Sequence, residues 1–410
     1  MGKMILVINC GSSSLKYSVF EMPEKKLLCA GIFESLDSEK TGFYTYKIPD
    51  KKGEMIKVFK DIPMHPKTTH RDAVVKMTEL LLDEKTGIIK ELSEVSAVGH
   101  RVVQGGDVFT ESTLIDENVV EEIRKLIPLA PLHNPAHITG IEICNEVFGK
   151  DIPQVAVFDN AFHSTMPATS YMYPIPYEFY EKDKIRKYGF HGTSHRYVSR
   201  RVTDIMKKPL EEIKLITCHL GNGCSIAAIK HGKVLDTTMG FTPLDGFMMG
   251  TRCGAIDPSI VTYLLDRYKN LTPKDIDNMM NKQSGILGIS GVASDDRIVA
   301  EVAEAGNERA KLARDMQWYQ IRKYIGSYIA AMNGVDAIAF MGGIGENCPE
   351  LREDVINNLS YLGITLDETA NKQRGKEIEI STKDSKVKAF VIPTNEELMI
   401  ACDTYILLIV

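Results

Sequence analysis

The feature that most constrains how this chain can fold is a hairpin that occurs twice. Residues 5–20 and 215–229 each hold an apolar run, a tight turn and a second apolar stretch. The turns are Gly11-Ser12-Ser13-Ser14 and Gly221-Asn222-Gly223. A short polar break and a further strand-like segment follow each, at 27–33 and 233–237. Such a turn exposes backbone N–H groups and hydroxyls that can wrap a phosphate. Two of them about two hundred residues apart predict two similar domains facing one phosphate chain, the layout of a nucleotide-dependent phosphotransferase.

Length and composition agree with two domains. The chain has 410 residues, more than one core comfortably holds. With 44% hydrophobic and 25% charged residues it reads as an ordinary globular protein. A net charge of -6 argues against a general nucleic-acid surface. The eight cysteines have no C-x-x-C spacing and read as buried free thiols of a reducing compartment. No signal-peptide pattern and no run of membrane-spanning length is present, so the expected location is cytoplasmic, without membrane contact. The apolar residues 405–410 are expected to pack as the end of a helix.

In the first half, strands are expected at 4–9, 15–21, 27–33, 95–102 and 155–159, with helices at 70–83, 117–126 and 136–148. Residues 165–187, rich in Pro and Tyr, read as loops. The second half predicts strands at 214–238, 335–340 and 387–392, with helices at 194–206, 257–268, 273–282 and 299–332. A glycine turn at 342–345 leads to a helix starting near Pro349, and a last helix begins at Glu396 or Glu397. The predicted division is 1–160 plus 394–410 as an acyl- and phosphate-binding domain, and 161–393 as a nucleotide-binding domain. The two are expected to leave a cleft that can close by hinge motion.

Three segments carry charge out of apolar runs: His100-Arg101 before Gly105-Gly106, Arg252 between Gly250 and Gly254, and His191 before Gly192. An arginine flanked by glycines can approach an anion and bind it with two N–H groups; the plainer reading is a surface ion pair. His191 and His195 have the spacing of a zinc helix, but no Glu follows His191 and no third ligand is near. Thr193 or Ser194 is expected to cap that helix, leaving His191 in the preceding loop as a donor to an anion. Asp159 ends a strand and could bind magnesium or its waters, or cap the next turn. Glu396 could bind metal or sit in a first helical turn. The P-loop pattern and the protein-kinase motifs are absent.

Taken with residues 9–16, 100–106, 130–135, 159–166, 187–195, 219–225, 239–243, 249–258, 342–347 and 393–398, in that order along nearly the whole chain, the sequence resembles the acetate kinases. The resemblance implies an α/β fold of duplicated ribonuclease H-like type, shared with actin, Hsp70 and sugar kinases, and a homodimer. It also implies reversible transfer between ATP and acetate, giving ADP and acetyl phosphate, with magnesium, or manganese in its place. By position, Asn9 and Glu396 would hold the metal, and Ser12, Ser14 and Lys16 would lie near the phosphates. Arg101 would bind the acetate carboxylate, and Val103, Leu132, Phe190 and Pro243 would surround its methyl group. Asp159, His191 and Arg252 would be catalytic. His219, Leu220, Gly221, Asn222, Gly223, Asp295, Asp296, Arg297, Gly343, Ile344, Gly345, Glu346 and Asn347 would bind the nucleotide. The chain departs from the family pattern at Gln104 (usually His), Asn160 (usually Thr), Asp296 (commonly aromatic) and Met341 (usually Thr).

A carboxylate substrate is already ionised at neutral pH, since carboxyl groups titrate at roughly 4. No base is needed towards acetate, which argues for Asp159 as an orienting group. Three other readings share parts of the pattern. A propionate or butyrate kinase differs by a methylene-sized change in the acyl pocket. An ATP-driven chaperone or filament protein of the same fold would form no acyl phosphate. A zinc hydrolase would use His191 and His195.

Overall fold

The computed structural model describes residues 2–50 and 53–409. These fall into two compact units, one drawn from Met1–Phe162 with Asn395–Val410 and the other from His163–Thr394.

The first unit is built on eight strands: β1 Lys3–Cys10, β2 Ser14–Met22, β3 Lys26–Glu34, β4 Phe43–Pro49, β5 Met55–Pro63, β6 Val95–Val102, β7 Thr113–Leu114 and β8 Gln154–Phe158. Among the described residues they form one sheet in the order β5-β4-β3-β2-β1-β6-β8-β7. Successive side chains of a strand point to opposite faces, and β1 is apolar on both. Ile5 and Val7 pack with Ala97, Val155 and Val157 beneath the helix Glu396–Ile409. Leu6, Ile8 and Cys10 pack on the other face with residues of the helices His70–Leu82 and Asn134–Phe148. Each such fully buried aliphatic side chain contributes about 1.5–3 kcal/mol. His70–Leu82 starts where it does because Thr69 and Asp72 cap it reciprocally, each side chain accepting the other's backbone N–H.

The second unit repeats the wiring. Its strands are β9 Lys214–Leu220, β10 Cys224–Lys230, β11 Lys233–Thr237, β12 Ala337–Met341, β13 Ile378–Glu379 and β14 Lys388–Val391, in the order β11-β10-β9-β12-β14-β13. The set β3-β2-β1-β6-β8 and the set β11-β10-β9-β12-β14 share order and direction. In each, two hairpin-linked antiparallel pairs precede two parallel ones. This is the duplicated ribonuclease H-like fold.

Several expected elements differ. The hairpin β4–β5 extends the first sheet at an edge where Lys57 and Lys60 are exposed, so its apolar alternation is weak. The expected helix 299–332 is two, Asp296–Glu304 and Glu308–Met332, because Asn307 accepts the N–H of Ala310 and starts a new helix. The glycine turn at 342–345 is itself the opening of a short helix, Gly342–Asn347. Residues 165–187 contain two short helices, Ala168–Tyr171 and Glu178–Asp183. Neither Thr193 nor Ser194 caps its helix: both lie within its buried first turn, and His191 occupies the cap position in left-handed backbone with φ 58°. Tyr405, Leu407 and Leu408 pack against the first unit's core as the end of the last helix, while Val410 lies outside the described residues. Among the described residues no helix is long and apolar enough to cross a membrane.

Burial lowers His100 to about 4, His137 to about 3 and His163 to about 4. These imidazoles are neutral in the fold and protonate first in the unfolded chain, near 6.5. Between pH 6.5 and 4 the unfolded state therefore holds more protons, and stability falls as the pH falls through that window. Thermal unfolding followed from pH 7.5 to 5 is expected to show a melting temperature that is flat above 6.5 and declines below it. A constant value down to pH 5 would contradict neutral burial of these rings.

Candidate active site

In the first unit, the parallel register aligns Ile8 with His100, and Arg101 with Val157. Asn9, Arg101 and Asp159 therefore lie at or just beyond the same ends of adjacent strands. The turn after β1 is closed by Gly11 N–H donating to the Ser14 carbonyl at 2.8 Å. Ser12 and Lys16 are exposed and Ser14 is half-buried, so their polar groups are available. The Gly11 carbonyl is held from behind by His70 Nε2 at 2.7 Å, whose Nδ1 meets Asp37 at 2.5 Å. Sequence reasoning missed this brace, because His70 reads only as the start of a helix.

Arg101 donates from Nε to both Asp159 oxygens at 3.1 Å and from Nη2 to Oδ2 at 2.6 Å. Burial pushes the Asp159 carboxyl up, and Arg101 opposes it. Multiple N–H contacts favour the ionic form of the pair. Glu396, opening the last helix, acts on both groups through its charge. Two departures from the family pattern converge on one turn. Gln104 Oε1 accepts the Gly106 N–H at 2.9 Å. Asn160 accepts from Gly105 N–H and donates to the Gly106 carbonyl, both at 2.8 Å. Of the proposed acyl contacts in this unit, Val103 is buried, whereas Leu132 is 65% exposed on the loop before the helix Asn134–Phe148.

In the second unit, four side chains form a hydrogen-bonded row. Thr217 Oγ1 lies 2.7 Å from His195 Nδ1, and His195 Nε2 lies 2.8 Å from Ser225 Oγ. Ser225 Oγ lies 2.9 Å from His191 Nδ1. Burial keeps His195 neutral. Both histidines of the zinc-like spacing are thus tied to hydroxyls. The His191 ring also stacks on His219 at 4.1 Å. Arg252 is partly buried and has no carboxylate within ion-pair distance among the described residues. Its Nη1 rests 3.3 Å from the Pro243 carbonyl and 3.7 Å from the Met249 sulfur. A Cβ on Gly223 would stand 3.3 Å from Arg252 Nη1 and 3.6 Å from His191 Cε1. A side chain at this position would press on the Arg252 guanidinium, which would have to give by a few tenths of an ångström. Phe190 is buried, and its carbonyl meets His163 Nε2 at 2.9 Å.

A cavity of about 720 Å³ opens beside this loop. It brings together Gly221, Asn222, Asp295, Asp296, Arg297, Gly343, Ile344 and Asn347 of the expected nucleotide residues. It adds Ser294, Cys348 and Arg374, which no motif marked. The other expected residues, His219, Leu220, Gly223, Gly345 and Glu346, do not line it. Gly342, at φ 78°, lets the backbone pass against the Leu220 backbone, where a Cβ would come within 2.8 Å of the Leu220 carbonyl oxygen. A Cβ added to Gly345 would lie 3.6 Å from Leu220 Cβ, an ordinary contact. Glu346 turns its carboxylate to the N–H groups of Gly342 and Thr394, at 2.9 and 3.3 Å. His219 lies against His191, and Gly223 below Arg252.

A cavity lined in part by Gly221 and Gly343 therefore adjoins the turn after β9. The acetokinase family matches residues 4–402. The chain belongs to this family. An acetate kinase of Halothermothrix orenii is 52% identical over 98% of both chains. The crystal structure of Porphyromonas gingivalis acetate kinase superposes with a TM-score of 0.91 at 44% identity, covering 99% of this chain and 100% of that one. The crystal structure of a propionate kinase from Francisella tularensis gives 0.89 at 42% identity, covering 98% and 99%.

Proposed function

We propose that the protein is an acetate kinase, transferring the γ-phosphoryl group of ATP to acetate to give acetyl phosphate, and running in reverse with ADP. The observation that carries this reading is Arg252: a partly buried guanidinium, with no carboxylate partner among the described residues, beside a phosphate-type loop and His191. Burial alone lowers its pKa, and an anionic ligand reverses that cost. Relatives named as acetate kinases at 52% identity support acetate over propionate as acceptor.

The chemical difficulty is bringing one anion up to another. Arg101, held in plane by Asp159, would take the acetate carboxylate through its remaining N–H groups. Arg252 and His191 would hold the phosphoryl oxygens as the bond to the leaving oxygen loosens. One polarity of the hydroxyl–imidazole row, running from Thr217 through His195 and Ser225, leaves His191 with its proton on Nε2, where it can be donated. Asn9, Asp159 and Glu396 offer hard oxygen donors, which suit magnesium, an ion that keeps several of its waters. Asn9 and Glu396 would hold it, and when bound it neutralises charge on the phosphate chain.

A homodimer and a cytoplasmic setting belong to the same proposal. The helix Ser259–Arg267 has none of its side chains buried within its own chain, and Tyr263 on it is 66% exposed, as a face between copies would be. The eight cysteines are free thiols, most of them buried.

Incubation with Mg-ATP, hydroxylamine and acetate, propionate or butyrate is expected to give most hydroxamate with acetate. A methylene is worth about 1–3 kcal/mol in such a pocket, so propionate should react more slowly. Greater yield with a longer acid would change the acceptor. No hydroxamate with any acid would remove the kinase reading and favour the ATP-driven, non-enzymatic alternative.

A further inference from the structure

The loop that carries Pro243 is clasped by a tyrosine to which the reaction gives no part. Tyr173 lies between the helices Ala168–Tyr171 and Glu178–Asp183 and is half-buried. Its hydroxyl accepts the Phe241 N–H at 2.9 Å and donates to Asp245 Oδ2 at 3.0 Å. Burial and the Asp245 charge raise the phenol above its ordinary value, so it keeps the proton it donates. One oxygen thus joins residues 241 and 245, the two sides of a short loop with Pro243 midway between them. Gly240 makes room for this clasp, since a Cβ there would collide with both the Tyr173 hydroxyl and the Asp245 carboxylate.

The ends of the loop are fixed by other groups. The Gly240 carbonyl accepts the N–H groups of Tyr188 and Gly189 at 3.0 and 3.3 Å. The Gly246 carbonyl accepts the Tyr324 hydroxyl at 3.0 Å and the Ala255 N–H at 2.8 Å. Between these anchors, among the described residues, the hydrogen bonds that reach 241–245 from outside the loop come from Tyr173 and Arg252. The Arg252 bond is the one from Nη1 to the Pro243 carbonyl, at 3.3 Å. A neutral carbonyl and the Met249 sulfur hold this guanidinium only weakly, and no carboxylate fixes it. Where it stands therefore follows where the Pro243 carbonyl stands.

We propose that Tyr173 is a positioning residue for phosphoryl transfer: by tying Phe241 to Asp245 it sets the Pro243 carbonyl and, through it, the Arg252 guanidinium. The inference rests on the reading of Arg252 as the group that meets the phosphoryl oxygens. Without the hydroxyl, the Phe241 N–H loses its acceptor and Asp245 Oδ2 its donor, and the loop relaxes to find others. A shift of about 1 Å in a group that binds the reacting atoms can cost about 10²-fold in rate.

Tyr173→Phe removes the hydroxyl and keeps the ring. With Mg-ATP and acetate, kcat is expected to fall by about tenfold to 10²-fold. Calorimetric affinity for ADP should stay the same, because Tyr173, Phe241 and Asp245 do not line the nucleotide cavity. The same substitution is then made in Arg252→Ala. Residues that act through one another are not additive, so Tyr173→Phe should cost little in that background. An equal factor in both backgrounds would make Tyr173 a support of the fold alone and overturn the proposal, as would an unchanged kcat in the single variant. A crystal structure of Tyr173→Phe is expected to show the contact between Arg252 Nη1 and the Pro243 carbonyl broken. The contact intact would overturn the proposal whatever the turnover. Absence of acyl phosphate from the unaltered protein, with the contact broken in Tyr173→Phe, would remove the kinase reading and sustain Tyr173 as the residue that places Arg252.

Discussion

Arg252→Ala is expected to lower kcat by about 10³–10⁵-fold, the worth of a single arginine on a transferring phosphoryl group in related chemistry. Nucleotide affinity should change far less. The cavity that gathers Asn222, Gly343 and Asn347 does not include Arg252 in its wall, so binding of a nucleotide there is expected to depend little on it. The guanidinium instead stands over Gly223 next to His191, without a carboxylate partner among the described residues. An interaction made mainly in the transition state shows itself as a fall in kcat and kcat/KM together. Steady-state kinetics of the variant, with direct measurement of nucleotide binding, separates the two. Near-normal turnover, or a loss confined to KM, would mean that Arg252 is not where the phosphoryl charge develops.

Asp159→Ala should damage stability and catalysis at once. It removes the carboxylate that takes three N–H contacts from Arg101 and leaves that guanidinium without its partner. Breaking one side of a buried pair costs about 3–5 kcal/mol. Asp159→Asn keeps the shape and one acceptor oxygen, so it should be less destabilising while still releasing Arg101 from its plane. Misplacement of a binding group by about 1 Å can cost about 10²-fold. Both variants are therefore expected to lose at least that factor in kcat/KM for acetate, and urea unfolding should place Asp159→Ala well below Asp159→Asn. Full activity in Asp159→Asn would show that the charge neither orients Arg101 nor serves the metal.

The duplicated hairpin was legible in the residues because the two turns use the same chemistry: glycine for backbone reach and small polar side chains for donors. Strands with continuous apolar runs, such as β1 and β12, were legible for the same reason, being buried on both faces. The edge hairpin β4–β5 was not, since lysines interrupt its alternation. Local sequence also gave no sign that Asp159 would be occupied by Arg101, a contact across 58 positions. Cys348 and Arg374 reach the cavity only through tertiary placement, the second by way of the Gly375 N–H bonded to the Glu346 carbonyl at 3.1 Å. Thr193 and Ser194 looked like caps because hydroxyl residues usually play that part. Here the helix begins earlier, and its first turn is buried.

The helix Glu396–Ile409 covers Ile5, Val7, Ala97, Val155 and Val157 of a sheet whose strands all precede residue 159. The ribosome makes this cover only after the whole of His163–Thr394 has been synthesised. At typical elongation rates of about 5–20 residues per second, the apolar face of the nascent sheet waits more than ten seconds for it. The inserted unit can complete itself first. Chains cut short between residues 391 and 396 should therefore be sticky intermediates, engaged by chaperones or degraded, even though every strand of both sheets has been synthesised.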